Sequence, residues 1–329
     1  MLLNHCGISL SPFSCSSQYS MALDKSKANR WVGAAILCVL GIFGLVLLLQ
    51  LAAMVFGPSK SACTKQVCLA KFLEGPPAFN NEAMVNHLKK NFFTPPAAGD
   101  YNLSGFSSTE ESFHEVIRYI KDHFSNKRNG IFVDLGAGDG EYNSISLELE
   151  RSLGWTGLLI EPNEELYKRL LKKGRKATSA KICVSPFSYP AKLKLSYPVR
   201  EMSTELQTVQ ALGRTKLDQL DDKEESTEYK VFEAQCIPLE NLVYAADIRS
   251  SIDLLILDMA GSDLDVLIST KLEQIPEFEM IVIRAGGADI GSELGGYFLE
   301  RNMVVKKVFG NSPKDGIFVL IKFDARRDL

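Results

Sequence analysis

Asp134, Leu135, Gly136, Ala137, Gly138, Asp139 and Gly140 follow directly on the apolar triplet Ile131 to Val133 and lead into a helical pattern near Asn143 to Leu153. Glycines this dense at the end of a short apolar run mark a backbone that turns tightly and approaches a neighbour closely. That fits the carboxyl end of a buried strand in an open α/β sheet, where ligands occupy the crevice beyond the strand ends. The spacing is G-x-G-x-G and the loop holds two carboxylates, unlike the G-x-G-x-x-G that seats a pyrophosphate on a helix N-terminus. Acidic side chains repel phosphate and attract ammonium, so a cofactor such as S-adenosylmethionine, with an ammonium and a sulfonium but no phosphate, suits the loop better than a dinucleotide. Glu161 closes the next apolar run, Leu158 to Ile160, where a carboxylate is placed to accept both hydroxyls of a ribose. The candidate cofactor-binding residues are therefore Asp134, Gly136, Gly138, Asp139, Gly140 and Glu161. The plainer alternative is a tight turn followed by a helix capped by Glu161.

Elsewhere short apolar runs alternate with helical patterns: a helix at Glu164 to Lys173, then runs at Ile182 to Val184, Val231 to Ala234, Leu254 to Leu257 and Met280 to Ile283. This order predicts a mostly parallel sheet covered by helices on both faces. Val304 to Phe309 and Ile317 to Phe323, joined through Gly310 to Gly316, read as a closing hairpin. The expected fold class is α/β, a Rossmann-like seven-stranded sheet of the methyltransferase kind with a C-terminal β-hairpin. Ser108 and Glu111 have capping-box spacing, and Phe113, Val116, Ile117, Ile120 and Phe124 recur at helical intervals, which starts the domain at residue 108. The charged stretch from Arg200 to Glu228 fits no strand and is expected to be an insertion or mobile loop.

Ahead of this domain, Trp31 to Phe56 carry no charge and one side-chain amide, Gln50. The run exceeds the about 20 apolar residues that cross a bilayer, and is too long for the roughly 7 to 15 of a cleaved signal peptide. A retained single-pass anchor is expected at 31–56, after a cytoplasmic tail at 1–30 and before a proline-interrupted lumenal stem at 57–107. Flanking lysines and arginines are nearly balanced, so orientation rests on Arg30 abutting the run and on four cysteines beyond it, Cys63, Cys68, Cys183 and Cys236, an even count suited to an oxidising lumen. Cys183 and Cys236 end two expected strands, so the alternatives are a disulfide between them or two buried small hydrophobes. Thirty-seven Lys and Arg against forty Asp and Glu give a net charge of −3, which offers no basic field for nucleic acid.

Several segments in order resemble the FkbM-type methyltransferase family, and within it the animal branch that includes the Star-like membrane proteins. They are Phe132 to Glu141 (FVDLGAGDGE), Leu153 to Asn163 (LGWTGLLIEPN), Arg175 to Ala177, Ile182 to Ser185 and Gln235 to Leu239. The resemblance implies a Rossmann-like fold, bound S-adenosylmethionine and O-methyl transfer in active members. For the Star-like branch it implies a single-span membrane protein of the endoplasmic reticulum and Golgi, extending to endosome or plasma membrane, that helps export growth-factor cargo. Where that family has roughly D-V-E-G-x-E, this chain has Asp258, Met259, Ala260, Gly261, Ser262 and Asp263, and Arg284 stands where a glutamate usually ends the fifth strand.

Methyl transfer to oxygen needs an in-line nucleophile and a base or metal to take its proton. All four histidines, His5, His87, His114 and His123, precede the glycine loop. Asp258 is the candidate base, with a helix-capping role as its alternative, and no acid or histidine cluster predicts a metal. Two functions stay open: an export factor for secretory cargo built on a methyltransferase-like domain, and an active O-methyltransferase on a lumenal glycan, lipid or protein hydroxyl.

Overall fold

The computed structural model describes residues 36–50, 75–106, 108–199, 203–218, 227–284, 298, 301–310 and 316–322. The chain divides into two units, Met1–Glu74 and Gly75–Leu329. In the first, residues 36–50 are helical and Leu37, Leu40, Phe43 and Leu48 are exposed. Among the described residues no helix is long and apolar enough to cross a membrane. The remainder of the expected span, residues 31–35 and 51–56, lies outside the described residues, as do the 1–30 tail, Cys63 and Cys68.

The second unit runs α1 (Glu82–Asn91), β1 (Phe93–Thr94), α2 (Glu111–His123), β2 (Ile131–Leu135), α3 (Ile145–Leu153), β3 (Thr156–Ile160), α4 (Glu164–Lys172) and β4 (Thr178–Ala180). It continues with β5 (Cys183–Val184), β6 (Ala191–Pro198), α5 (Glu205–Leu212), β7 (Lys216–Leu217), β8 (Tyr229–Ile237), α6 (Leu239–Ala245), β9 (Ile252–Leu257), α7 (Asp263–Ser269), β10 (Phe278–Arg284), β11 (Met303–Phe309) and β12 (Ile317–Lys322). The main sheet has the order β1-β4-β3-β2-β9-β10-β12-β11. Strands β4, β3, β2, β9 and β10 are parallel; β12 pairs antiparallel with β10 and with β11. This is the expected parallel sheet with its reversed hairpin.

Successive residues of the central strands point to opposite faces, and both faces are buried. Phe132, Leu254, Ile256, Met280 and Val282 pack with Phe113, Val116, Ile120 and Leu149 of α2 and α3. Val133, Leu135, Leu255, Leu257, Ile281 and Ile283 pack on the other side with Val85, Leu88, Leu242 and Val266. Near-continuous apolar strands are what such two-sided burial requires, which is why β2, β3, β9 and β10 stand out in the sequence.

Five details differ from expectation. The folded unit begins at Gly75 rather than 108: α1 buries Val85 and Leu88, and β1 pairs with β4 as an eighth strand. Ser108 does not cap α2, whose N-cap is Glu110; its hydroxyl accepts the Glu110 N–H at 3.1 Å, closing a turn just ahead of the helix. The runs at 182–184 and 231–234 leave the main sheet and form a second one, ordered β5-β8-β6-β7. The third parallel strand of the main sheet is Thr178–Ala180, whose small residues carry little apolar signal although Ser179 and Ala180 are buried. The stretch 200–228, expected as an insertion or loop, contains α5 and β7; residues 219–226 lie outside the described ones.

Gly157 of β3 stands opposite Phe132 of β2, and a Cβ there would collide with the Phe132 carbonyl. Gly157→Ala is expected to destabilise the domain by about 3 kcal/mol, read as a lowered urea midpoint, because β2 and β3 must part to admit the methyl.

Candidate functional site

A cavity of about 690 Å³ opens at the carboxyl ends of β2, β3, β9 and β10, within the range of about 300–1,000 Å³ for small-molecule sites. Asp134, Gly136, Gly138, Asp139, Glu161 and Asp258 are on its wall. Gly140 is not; its space is taken by Leu170 and the Arg175 guanidinium. Gly136 has φ +86°, and a Cβ on it would run into the Asp258 carbonyl. The Asp258 N–H donates to the Leu135 carbonyl at 2.9 Å, so glycine is what lets the end of β9 close onto the loop. Gly138, at φ +59°, has nothing within 4 Å of where a Cβ would sit.

Glu161 is buried and its carboxylate is held from both sides. The Gly138 N–H donates to Oε2 at 2.9 Å and the Asn163 N–H to Oε1 at 2.7 Å. Asn163 in turn caps α4, its Oδ1 accepting the N–H groups of Glu165 and Leu166. Burial pushes Glu161 up to about 8 against the pull of the two N–H donors. Thus the helix is capped by Asn163 rather than Glu161, and each Glu161 oxygen keeps a second lone pair.

Asp134 lies deeper. The Ser146 hydroxyl donates to its Oδ2 at 2.5 Å, and burial raises its pKa to about 6 while Ser146 and Arg175 hold it down. Asp139 Oδ1 accepts the N–H groups of Glu141 and Tyr142, at 3.0 and 2.8 Å, which closes the loop's last turn. Its Oδ2 is buried without a hydrogen-bond donor, 3.6 Å from Lys173 Nζ.

On the β9 side of the cavity Asp258 faces Arg284, with Nε 3.1 Å from Oδ2, and Arg284 Nη2 donates to the Asn143 carbonyl at 3.4 Å. Desolvation pushes Asp258 up and Arg284 opposes it. The turn after β9 is closed by Asp263, whose oxygens accept the N–H groups of Met259 at 2.9 Å and Gly261 at 3.2 Å, so Asp258 is not needed as a cap. Burial raises Asp263 to about 7. Of the described histidines, His87, His114 and His123 are all off the cavity wall. Among the described residues no group of three His, Cys, Asp or Glu is arranged to hold a metal.

One wall was not legible as such. Val209 and Leu212 of α5 pack with Leu166, Tyr142 and Tyr197, and Gln210 Nε2 donates to the Tyr142 hydroxyl at 2.9 Å. Asn163 Nδ2 donates to Thr215 Oγ1 at 3.1 Å, and Arg169 pairs with Glu205 at 2.8 Å. The available signal was Thr204 three residues before Gln207, the spacing of a helix start: Thr204 Oγ1 accepts the Gln207 N–H at 3.2 Å. Cys183 and Val184 also line the cavity. Cys183 stands in register with Cys236 on the parallel pair β5 and β8, and a disulfide joins them across 4.2 Å between Cα atoms.

The set fits S-adenosylmethionine. Glu161 has lone pairs left for a ribose diol, Leu166, Val184 and Leu212 make an apolar wall for an adenine, and Asp134 supplies negative charge for a cationic group, whereas Asp139 and Asp258 are offset by Lys173 and Arg284. Strand order, glycine loop and acid together define the class: this is the fold of S-adenosylmethionine-dependent methyltransferases. The chain belongs to the methyltransferase FkbM domain family, whose family model matches residues 134–303.

Among solved structures it is similar to a methyltransferase FkbM from Methylobacillus flagellatus KT, with 12% identity over 59% of this chain and 43% of that one and a TM-score of 0.35. This chain therefore spans less than half the length of that protein. It is also similar to a human methyltransferase 10 domain containing protein (12% identity, 75% and 97% covered, TM-score 0.35). A third is M. capricolum TrmK in complex with S-adenosyl-homocysteine (10% identity, 65% and 68% covered, TM-score 0.31). No curated protein matches the sequence.

Acids whose pKa is raised by burial make the folded protein bind more protons than the unfolded chain, so stability falls as pH rises between the two pKa values. Asp134, Asp263 and Glu161, at about 6, 7 and 8, are expected to lower the ligand-free melting temperature as pH is raised from about 4 to about 8 and to leave it level above that. Glu161→Gln should remove the last part of the decline; thermal melts across that range check both.

Proposed function

We propose that the domain binds S-adenosylmethionine in the crevice between the glycine loop and Glu161, and that binding rather than fast methyl transfer is its task. The observation that carries the reading is Glu161, buried yet held by Gly138 and Asn163 so that both oxygens keep acceptor capacity on the cavity wall. Against fast transfer stands the Asp258–Arg284 pair: the candidate base is engaged by a guanidinium, which makes it a poorer proton acceptor and adds positive charge beside the place where a sulfonium methyl would lie.

In this reading the chain is a single-pass protein of the endoplasmic reticulum and Golgi membrane, with a lumenal C-terminal domain that serves export of secretory cargo, as the resemblance to Star-like proteins implies. The uncharged run at 31–56 supports the anchor, and the Cys183–Cys236 disulfide supports an oxidising compartment. Asn102, which with Leu103 and Ser104 forms an N-glycosylation acceptor triplet, is exposed, in agreement with that compartment. An active O-methyltransferase is the second reading; what favours it is that Asp258 stays on the cavity wall with its pKa raised by desolvation.

Calorimetry with S-adenosylhomocysteine should show binding that Glu161→Ala weakens by about tenfold, the loss of hydrogen bonds to the Glu161 carboxyl group. Absence of heat with the intact protein refutes the cofactor reading. Methyl transfer from labelled S-adenosylmethionine to any lumenal acceptor, abolished by Asp258→Asn with binding retained, establishes the enzyme reading instead. Protease protection of the C-terminal domain in sealed microsomes is the expected topology; digestion there refutes the lumenal placement.

A further inference from the structure

Arg175 lies between α4 and β4, is 3% exposed, and is absent from the cavity wall. Its guanidinium approaches the glycine loop from behind. Nη1 donates to the Gly140 carbonyl at 2.7 Å and to Ser144 Oγ at 3.4 Å, Nη2 donates to Ser146 Oγ at 2.9 Å, and Nε donates to Glu150 Oε2 at 3.2 Å. Neutralising a buried arginine needs only the Glu150 partner. The other contacts are directed at the last turn of the loop and at the start of α3. Ser146 then passes the interaction on, its hydroxyl donating to Asp134 Oδ2 at 2.5 Å. Gly140, at φ +77°, leaves room for the fork: a Cβ there would stand 3.0 Å from Leu170 Cγ and 3.5 Å from Arg175 Nη1.

We infer that Arg175 is a positioning residue for the cofactor pocket: through Gly140 it fixes the turn of the glycine loop, and through Ser146 it fixes the orientation and charge of Asp134, without touching the ligand. The affinity consequence rests on the S-adenosylmethionine reading; the consequence for Asp134 does not. A planar fork is required, because one group must serve a carbonyl, a hydroxyl and a carboxylate in fixed directions, which an ammonium does not do.

The charged and polar groups around Asp134 are Ser146 on α3, Arg175, Glu161 after β3, Asp258 after β9 and Arg284 at the end of β10. Ser146 and Arg175 favour its ionised form, and so does Arg284; Asp258 opposes it. Removing Arg175 therefore raises the Asp134 midpoint, and so does removing the Ser146 relay.

The test uses the full chain in detergent, labelled with carboxyl-¹³C aspartate, with Asp134 assigned by its loss in Asp134→Asn. The variants are Arg175→Met and, because that change removes the buried charge partner of Glu150 and so threatens folding, Ser146→Ala, which alters no charge. The Asp134 midpoint is expected to rise from about 6 toward roughly 7 in each folded variant. S-adenosylhomocysteine affinity should fall about tenfold to a hundredfold in Arg175→Met. A midpoint that stays in place in Ser146→Ala overturns the inference, as does an affinity loss in Arg175→Met with the Asp134 midpoint unmoved. If the unmodified protein does not bind the ligand, the cofactor reading fails, and the Asp134 midpoint still decides the role of Arg175.

Discussion

The close approach of β9 to the end of β2 at Gly136 is the contact on which the site depends. Because Gly136 has no side chain, the Asp258 backbone sits against the loop and donates its N–H to Leu135. That one contact brings Asp134 and Asp258, from strands far apart in the chain, onto one cavity. The sheet order sets which strand ends meet, the glycine sets how near they come, and the acids then share a space too small to solvate them fully. Their raised pKa values are the electrostatic expression of that crowding. A cationic ligand relieves it, which is a physical reason for a pocket of this kind to prefer a sulfonium to a phosphate.

Two layers of restraint keep the crowded acids in place. Backbone N–H groups hold Glu161, Asp139 and Asp263, so each of these carboxylates also closes a turn. Asp134 is different: it depends on a side-chain relay through Ser146 to Arg175, and Arg175 is in turn balanced by Glu150. The buried pair of Lys173 with Glu141 does similar service for the loop, since Glu141 also accepts the N–H groups of Ser104, Gly105 and Phe106 and so binds the preceding segment to it. These interactions tie stability to the same residues that shape the pocket.

The central strands were legible because two-sided burial leaves an uninterrupted apolar record, and the placement of Asp134, Gly136, Gly138 and Glu161 at the crevice was legible because close approach and strand-end position restrict residue type. Gly140 was legible as a glycine but not in its role, since sequence does not distinguish room for a ligand from room for Arg175. The third strand was misplaced because Thr178–Ala180 is buried without being apolar in composition, while Cys183 and Val184 are apolar and serve another sheet. The early start of the domain was hidden by prolines at 76, 77, 95 and 96, which mark turns but do not say whether the segment between them docks. The α5 wall was hidden by charge: Arg200 to Glu228 averages to a polar loop, although Val209 and Leu212 form one apolar edge.

The covalent bridge between β5 and β8 sits in the wall that Cys183 contributes to the cavity. A cross-link spanning 53 residues of sequence is worth about 2–4 kcal/mol, and here it adds a covalent tether to the pairing of the two-residue strand β5 with β8. The pocket is thus finished by an oxidation event after translation. Material made in a reducing host would carry the right sequence with an unfinished wall, so the route of manufacture becomes part of the molecule's ligand-binding properties.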